Sequence, residues 1–223
     1  MLKPYEESLK KIKEQIISIG DEIIYANKIS LSALKENDVS MMKDITLSIK
    51  NLSIKSNEVD NLIVKTLALY SPEAKDLRQM VSFLKITNEI LRAGGNSKAF
   101  IKSFKKSFTS DIDKHSILEY AIPLLKASNL AFEISIGMLK ENNLKNIESA
   151  YQRVNVEESK TDDLYAIIGK NTLKLISKNI ELSKDYFDVL SSLRRLEKTA
   201  DRAASIANLI LFAKIGGDIE QAK

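Results

Sequence analysis

The chain has 223 residues, with 34 basic and 30 acidic side chains for a net charge of +4, 44% hydrophobic and 29% charged content. It has no cysteine and one histidine, His115, which excludes disulfides, thiolate metal sites and clusters of imidazole ligands. The mild positive charge is spread along the chain, unlike the concentrated basic footprint of a nucleic-acid binder.

Seven glycines and three prolines are too few turn formers for a sheet-rich protein of this size. Apolar residues instead recur at three and four, the period of a helix. The first predicted helix runs from Pro4, suited to a first turn, to Leu34. Asn37 or Asp38 caps a second that ends near Tyr70. Ser71-Pro72-Glu73 reads as a cap, a first-turn proline and an acid favoured by the helix dipole, opening a third helix to about Lys106. Gly94-Gly95 falls inside it as a candidate kink. Thr109-Ser110-Asp111 starts the fourth helix, and Asn142-Asn143 separates it from a fifth that reaches Leu182. Ser183-Lys184-Asp185 opens the sixth, closed by Gly216-Gly217.

The chain repeats itself. Leu34-Lys35-Glu36-Asn37-Asp38 returns as Leu139-Lys140-Glu141-Asn142-Asn143, about 105 residues later. Each copy holds three predicted helices, and short connections make neighbours antiparallel. The expected fold is therefore all-α, two tandem three-helix bundles over residues 1–108 and 109–223, related by a pseudo-twofold. In the sixth helix Val189, Leu193, Leu196, Ala200, Ala203, Ala207 and Ile210 form a heptad seam whose alanines permit close approach. In the fifth, Ile147, Tyr151, Val154, Thr161, Tyr165 and Ile168 form a similar stripe, interrupted by the carboxylate of Glu158. The N-terminus lacks the apolar core of a signal peptide, and no stretch approaches roughly 18 uninterrupted apolar residues, so the expected location is cytoplasmic.

Glu197 and Asp201 lie four apart on one face of the sixth helix, and Glu158 and Asp162 share that spacing on the fifth. Four carboxylates meeting between neighbouring helices would repel one another. A hard cation relieves that repulsion, since oxygen ligands suit magnesium, manganese, calcium or iron. Basic neighbours, with Arg194, Arg195, Lys198 and Arg202 as candidates, would relieve it equally. Most acidic pairs at this spacing are solvated helix faces.

Two segments resemble the PhoU family of phosphate-uptake regulators. Ser71-Pro72-Glu73-Ala74-Lys75-Asp76-Leu77-Arg78, leading to Leu84 through Gly94, is similar to the family's Pro-x-Ala-x-Asp-Leu-Arg segment followed by Leu-Glu-Arg-Ile-Gly-Asp. Leu196-Glu197-Lys198-Thr199-Ala200-Asp201-Arg202-Ala203, followed by Ile206-Ala207, resembles the second copy. The resemblance implies metal sites built from Glu/Asp-x-x-x-Asp motifs. Glu197 and Asp201 keep that motif, with Glu158 and Asp162 as partners, for iron, manganese, magnesium or zinc. The first copy departs from the pattern. Leu91 and Gly95 stand where the acids belong, Ser56 falls where an acid would match Glu158, and only Asp60 and Glu89 remain. Lys198, Thr199 and Ala200 replace the usual Arg-Ile-Gly. The resemblance further implies a non-enzymatic negative regulator of phosphate transport and starvation signalling. Its expected partners are a phosphate-specific ABC transporter's ATPase, a sensor histidine kinase and a second copy in a homodimer, with the membrane reached only through them.

Alternatives are a helical adaptor for another transporter without metal, or a carboxylate-bridged dimetal enzyme. The latter commonly uses Glu-x-x-His motifs, which this chain lacks. Lys98, Lys102, Lys105 and Lys106 read as a solvated face over a core stripe of Phe100, Phe104 and Phe108, with a docking surface as the competing reading. His115 reads as a surface residue. Arg78 and Arg92 are expected to make structural pairs with Asp76 or Glu89.

Overall fold

The fold was analysed on a computed structural model that describes residues 3–43, 45, 49–109 and 111–216. Six long helices dominate it: α1 (Lys3–Lys35), α2 (Leu52–Tyr70), α3 (Ala74–Ser107), α4 (Lys114–Gly137), α5 (Leu144–Lys178) and α6 (Ser183–Ile215). No strand occurs among the described residues. Within each half the three helices contact one another. The halves meet where α3 packs on α6, the most extensive helix pairing in the molecule, and where α1 packs on α4. First-with-fourth and third-with-sixth pairing is the arrangement that a twofold between the two halves produces. One apolar core runs through both.

The seam of α6 is buried throughout, with Leu193, Leu196, Ala200, Ala203 and Ala207 fully inaccessible. Three other long helices, α3, α4 and α5, touch it. Its alanines leave room for that crowding. On α5, Ile147, Val154, Thr161 and Ile168 are buried as the stripe predicts, and Tyr151 and Tyr165 are half-buried.

Several boundaries differ from the sequence expectation. Asp38 does cap, accepting a hydrogen bond from Ser40 N at 2.9 Å, but it opens only a 3-10 turn, Val39–Met42. The second long helix starts at Leu52. Met42, Ile45, Ile49 and Leu52 are all buried at helical spacing, and residues 44 and 46–48 lie outside the described residues. Pro72 does not open α3. Ser71 ends α2 in the left-handed region (φ 42°), and Glu73 precedes α3 without a side-chain cap. The fourth helix is opened by Asp113, whose carboxylate accepts from Ser116 N at 3.1 Å; Ser110 lies outside the described residues. α5 stops at Lys178, and Ile180–Leu182 is a separate 3-10 turn. Asn143 caps α5 by accepting from Lys145 N. Gly216 (φ 79°) ends α6, as expected, and Gly217 lies outside the described residues. α3 runs unbroken through Gly94-Gly95. At Gly94 a Cβ would overlap Leu52 Cδ1 and force that side chain to shift, whereas Gly95 faces open space.

The segment Lys114–Lys140, α4 and its following turn, is long and apolar enough to cross a membrane by length and composition. However, 61% of its most apolar stretch is buried inside the protein, against α1, α5 and α6. Its apolarity is therefore accounted for by the core.

Tyr5 closes the core near the start of α1, with its ring edge-on to Tyr70 at 5.8 Å. Its hydroxyl is buried without a hydrogen-bond partner, and burial, then the nearby Asp76 charge, push it up to about 12 from 10.0. A tyrosine raised in the folded state stabilises the fold below pH 10 and loses that contribution as pH climbs through the folded value. Between pH 10 and 12 the wild-type melting temperature should therefore fall more steeply than that of Tyr5→Phe. Parallel profiles for the two proteins would refute this role.

Candidate metal centre

Three of the four predicted acids come together between α5 and α6, with Glu197 beside them. Ligand oxygens of Glu158, Asp162 and Asp201 lie within 4.8 Å of one another. The local reason is helical spacing: Glu158 and Asp162 share one face of α5, and Asp201 leaves the edge of the α6 seam beside fully buried Ala200. Asp201 is the most deeply placed, its side chain 5% exposed. Glu197 stands outside this triad, one turn earlier on α6. Its Oε1 accepts from Lys198 Nζ at 3.0 Å, while its Oε2 is buried with no hydrogen-bond partner.

The electrostatics are those of crowded anions. Glu158 is held above the usual carboxylate range by burial first, then by the charges of Asp162 and Asp201. Asp162 is raised by burial and then Asp201. Glu197 is raised chiefly by burial, with the hydrogen bond from Lys198 pulling the other way. Two basic residues answer the acids. Lys198 Nζ donates to Asp201 Oδ2 at 2.7 Å, and Arg202 reaches the same oxygen at 3.7 Å. Burial pulls the Lys198 amine down, but its bonds to Asp201 and Glu197 outweigh that and leave it raised. Of the four basic candidates, Lys198 and Arg202 make these contacts. Arg194 instead lies over the Tyr165 ring at 6.0 Å.

The donor set fits a hard cation. It offers only carboxylate oxygens, three already gathered, plus a buried Glu197 oxygen that lacks a partner. Buried polar atoms ordinarily have partners, so that oxygen is free to serve as a further ligand.

The corresponding region of the first half is differently built. Ser56 is buried, Leu91 packs against the core, and Gly95 contributes no side chain. Asp60 keeps a buried oxygen without a partner and is raised by burial. Glu89 is committed elsewhere: its Oε1 faces Arg92 at 3.2 Å and its Oε2 accepts from Arg202 at 2.9 Å. The Arg202–Glu89 pair joins α6 to α3 across the two halves. Sequence spacing gave no signal of it, because the residues are 113 apart. Arg92 makes its expected pair with Glu89. Arg78 instead lies over the Phe212 ring, 5.9 Å from its centre. His115 is exposed and takes no part in the acid cluster.

Comparison with known proteins fits this architecture. The PhoU domain family matches residues 16–103. A phosphate-specific transport system accessory protein PhoU homolog of Xylella fastidiosa strain 9a5c is 21% identical over 221 residues, covering 95% of this chain and 87% of its own length. The phosphate-specific transport system accessory protein PhoU of Escherichia coli K12 is 20% identical, covering 96% of this chain and 89% of its own length. The crystal structure of PhoU from Pseudomonas aeruginosa superposes with a TM-score of 0.74 at 16% identity, over 96% of this chain and all of that one. The phosphate transport system regulatory protein PhoU from Streptococcus pneumoniae gives 0.71 at 17% identity, over 96% and 98% of the two chains. The chain thus carries a match to the PhoU domain over residues 16–103, aligns with PhoU proteins along nearly its whole length, and shares the six-helix fold of solved PhoU structures.

Proposed function

We propose that this protein is a non-enzymatic regulator of phosphate uptake and phosphate-starvation signalling. It works in the cytoplasm beside the ATPase of a phosphate-specific ABC transporter and a sensor histidine kinase, as a homodimer. The observation that carries this reading is the end-to-end similarity to phosphate-specific transport accessory proteins, which leaves little of the chain for an unrelated activity. Deleting the gene should raise phosphate-regulated expression and uptake in abundant phosphate, with restoration by the plasmid-borne wild type. Unchanged responses in both limiting and abundant phosphate would overturn the regulator.

A metal ion is the second part of the proposal. Glu158, Asp162 and Asp201 would hold it, with Glu197 completing the shell, and the ion would supply the positive charge that crowded carboxylates need. One metal-bound pocket, in the second half, is what the residues support. Wild-type protein incubated with Mn²⁺ and desalted should retain metal on elemental analysis, and Glu197→Ala/Asp201→Ala should not. Equal, negligible metal in both would remove the metal and leave the regulator standing.

A further inference from the structure

The acid pocket already contains a cation of its own. Lys198 follows Glu197 by one residue and precedes Asp201 by three, and its ammonium bends back over its own helix to touch both: 3.0 Å to Glu197 Oε1 and 2.7 Å to Asp201 Oδ2. Asp201 belongs to the triad that a metal would use. A divalent ion drawing on Asp201 would sit within a few ångströms of that ammonium. Like charges that close, beside a carboxylate 95% shielded from water, repel strongly. The lysine can leave: its side chain is 36% exposed, and four methylenes let the amine swing to solvent.

We propose that Lys198 is the resident counter-cation of the pocket and sets the threshold for metal entry, so that a divalent ion binds by driving the ammonium off Glu197 and Asp201. This rests on the metal reading above and extends it, assigning a competitor within the chain. Two consequences follow. The metal-free fold does not depend on metal, because the amine neutralises part of the acid charge. The metal affinity is lower than the same four acids would give alone.

The test is calorimetric titration of Mn²⁺ into chelator-treated full-length protein, with urea unfolding of the metal-free forms alongside. Lys198→Met keeps the stem and removes the charge. It should bind Mn²⁺ at least about tenfold more tightly than wild type, one decade in an affinity constant. Its metal-free urea midpoint should fall and recover when Mn²⁺ is added. Lys198→Gln provides the same comparison should the methionine variant need metal to fold. Equal or weaker Mn²⁺ binding in both variants relative to a binding wild type would overturn the lysine's role and leave the metal reading intact. No binding in any of the three proteins would overturn both.

Discussion

Truncating Phe104 to alanine is expected to lower stability by about 4 kcal/mol, the usual cost of removing a fully buried phenylalanine and leaving its cavity. Phe104 is inaccessible to solvent. Its ring lies 5.3 Å from that of Phe100 and stacks on Phe108 at 4.8 Å, so one truncation removes the middle member of a three-ring column. Lys114, from the start of α4, lies over the Phe108 ring at 5.1 Å. The column therefore also props the junction between the two halves, and the surroundings have little freedom to collapse into the gap. In a protein of this length that loss is worth roughly 10 °C in melting temperature. Lys102→Ala, on the solvated face of the same helix, should shift stability by less than about 0.5 kcal/mol. Similar losses in the two variants would mean that the aromatic stripe supports the helix no more than the lysine face does.

That contrast shows what could be read before folding. Phe100, Phe104 and Phe108 repeat at four with lysines between them, and such a pattern has one low-energy placement, rings inward and amines outward. The α6 seam was legible for the same reason. The start of α2 was not. Met42, Ile45, Ile49 and Leu52 keep helical spacing, so that period does not tell the 3-10 turn at Val39–Met42 from the helix that begins at Leu52. The pairing of α3 with α6 was also hidden. Short loops dictate which neighbours lie side by side within a half, but nothing in a loop states which helices meet between halves.

The acid pocket was legible in part. The pairs Glu158/Asp162 and Glu197/Asp201 announce shared helix faces, and the structure brings three of the four together, with Glu197 at their edge. Which cation answers them was left open between metal and base. Lys198 was one of four basic candidates, and its spacing of three from Asp201 favours that contact, but nothing in the spacing predicts that it also reaches the adjacent Glu197. Only its long stem, curling back toward Asp201, brings the charge into the pocket.

Replacing Arg202 with methionine is expected to cost about 3 kcal/mol in metal-free protein, at the lower end for breaking a largely buried ion pair. The side chains involved are mostly shielded: Arg202 is 16% exposed and Glu89 13%. Without the guanidinium, the basic partner left among the described residues is Arg92 for Glu89, with a side chain 55% exposed, and Lys198 for Asp201. Much of the cost is the penalty of leaving Glu89 buried without its near partner, so it should shrink when that acid is removed too. Glu89→Met/Arg202→Met should therefore be more stable than Arg202→Met alone, a coupling measurable by urea unfolding of the full cycle. Strict additivity would mean that the two side chains merely lie close. Coupling would make the Arg202–Glu89 pair a polar tie between α6 and α3.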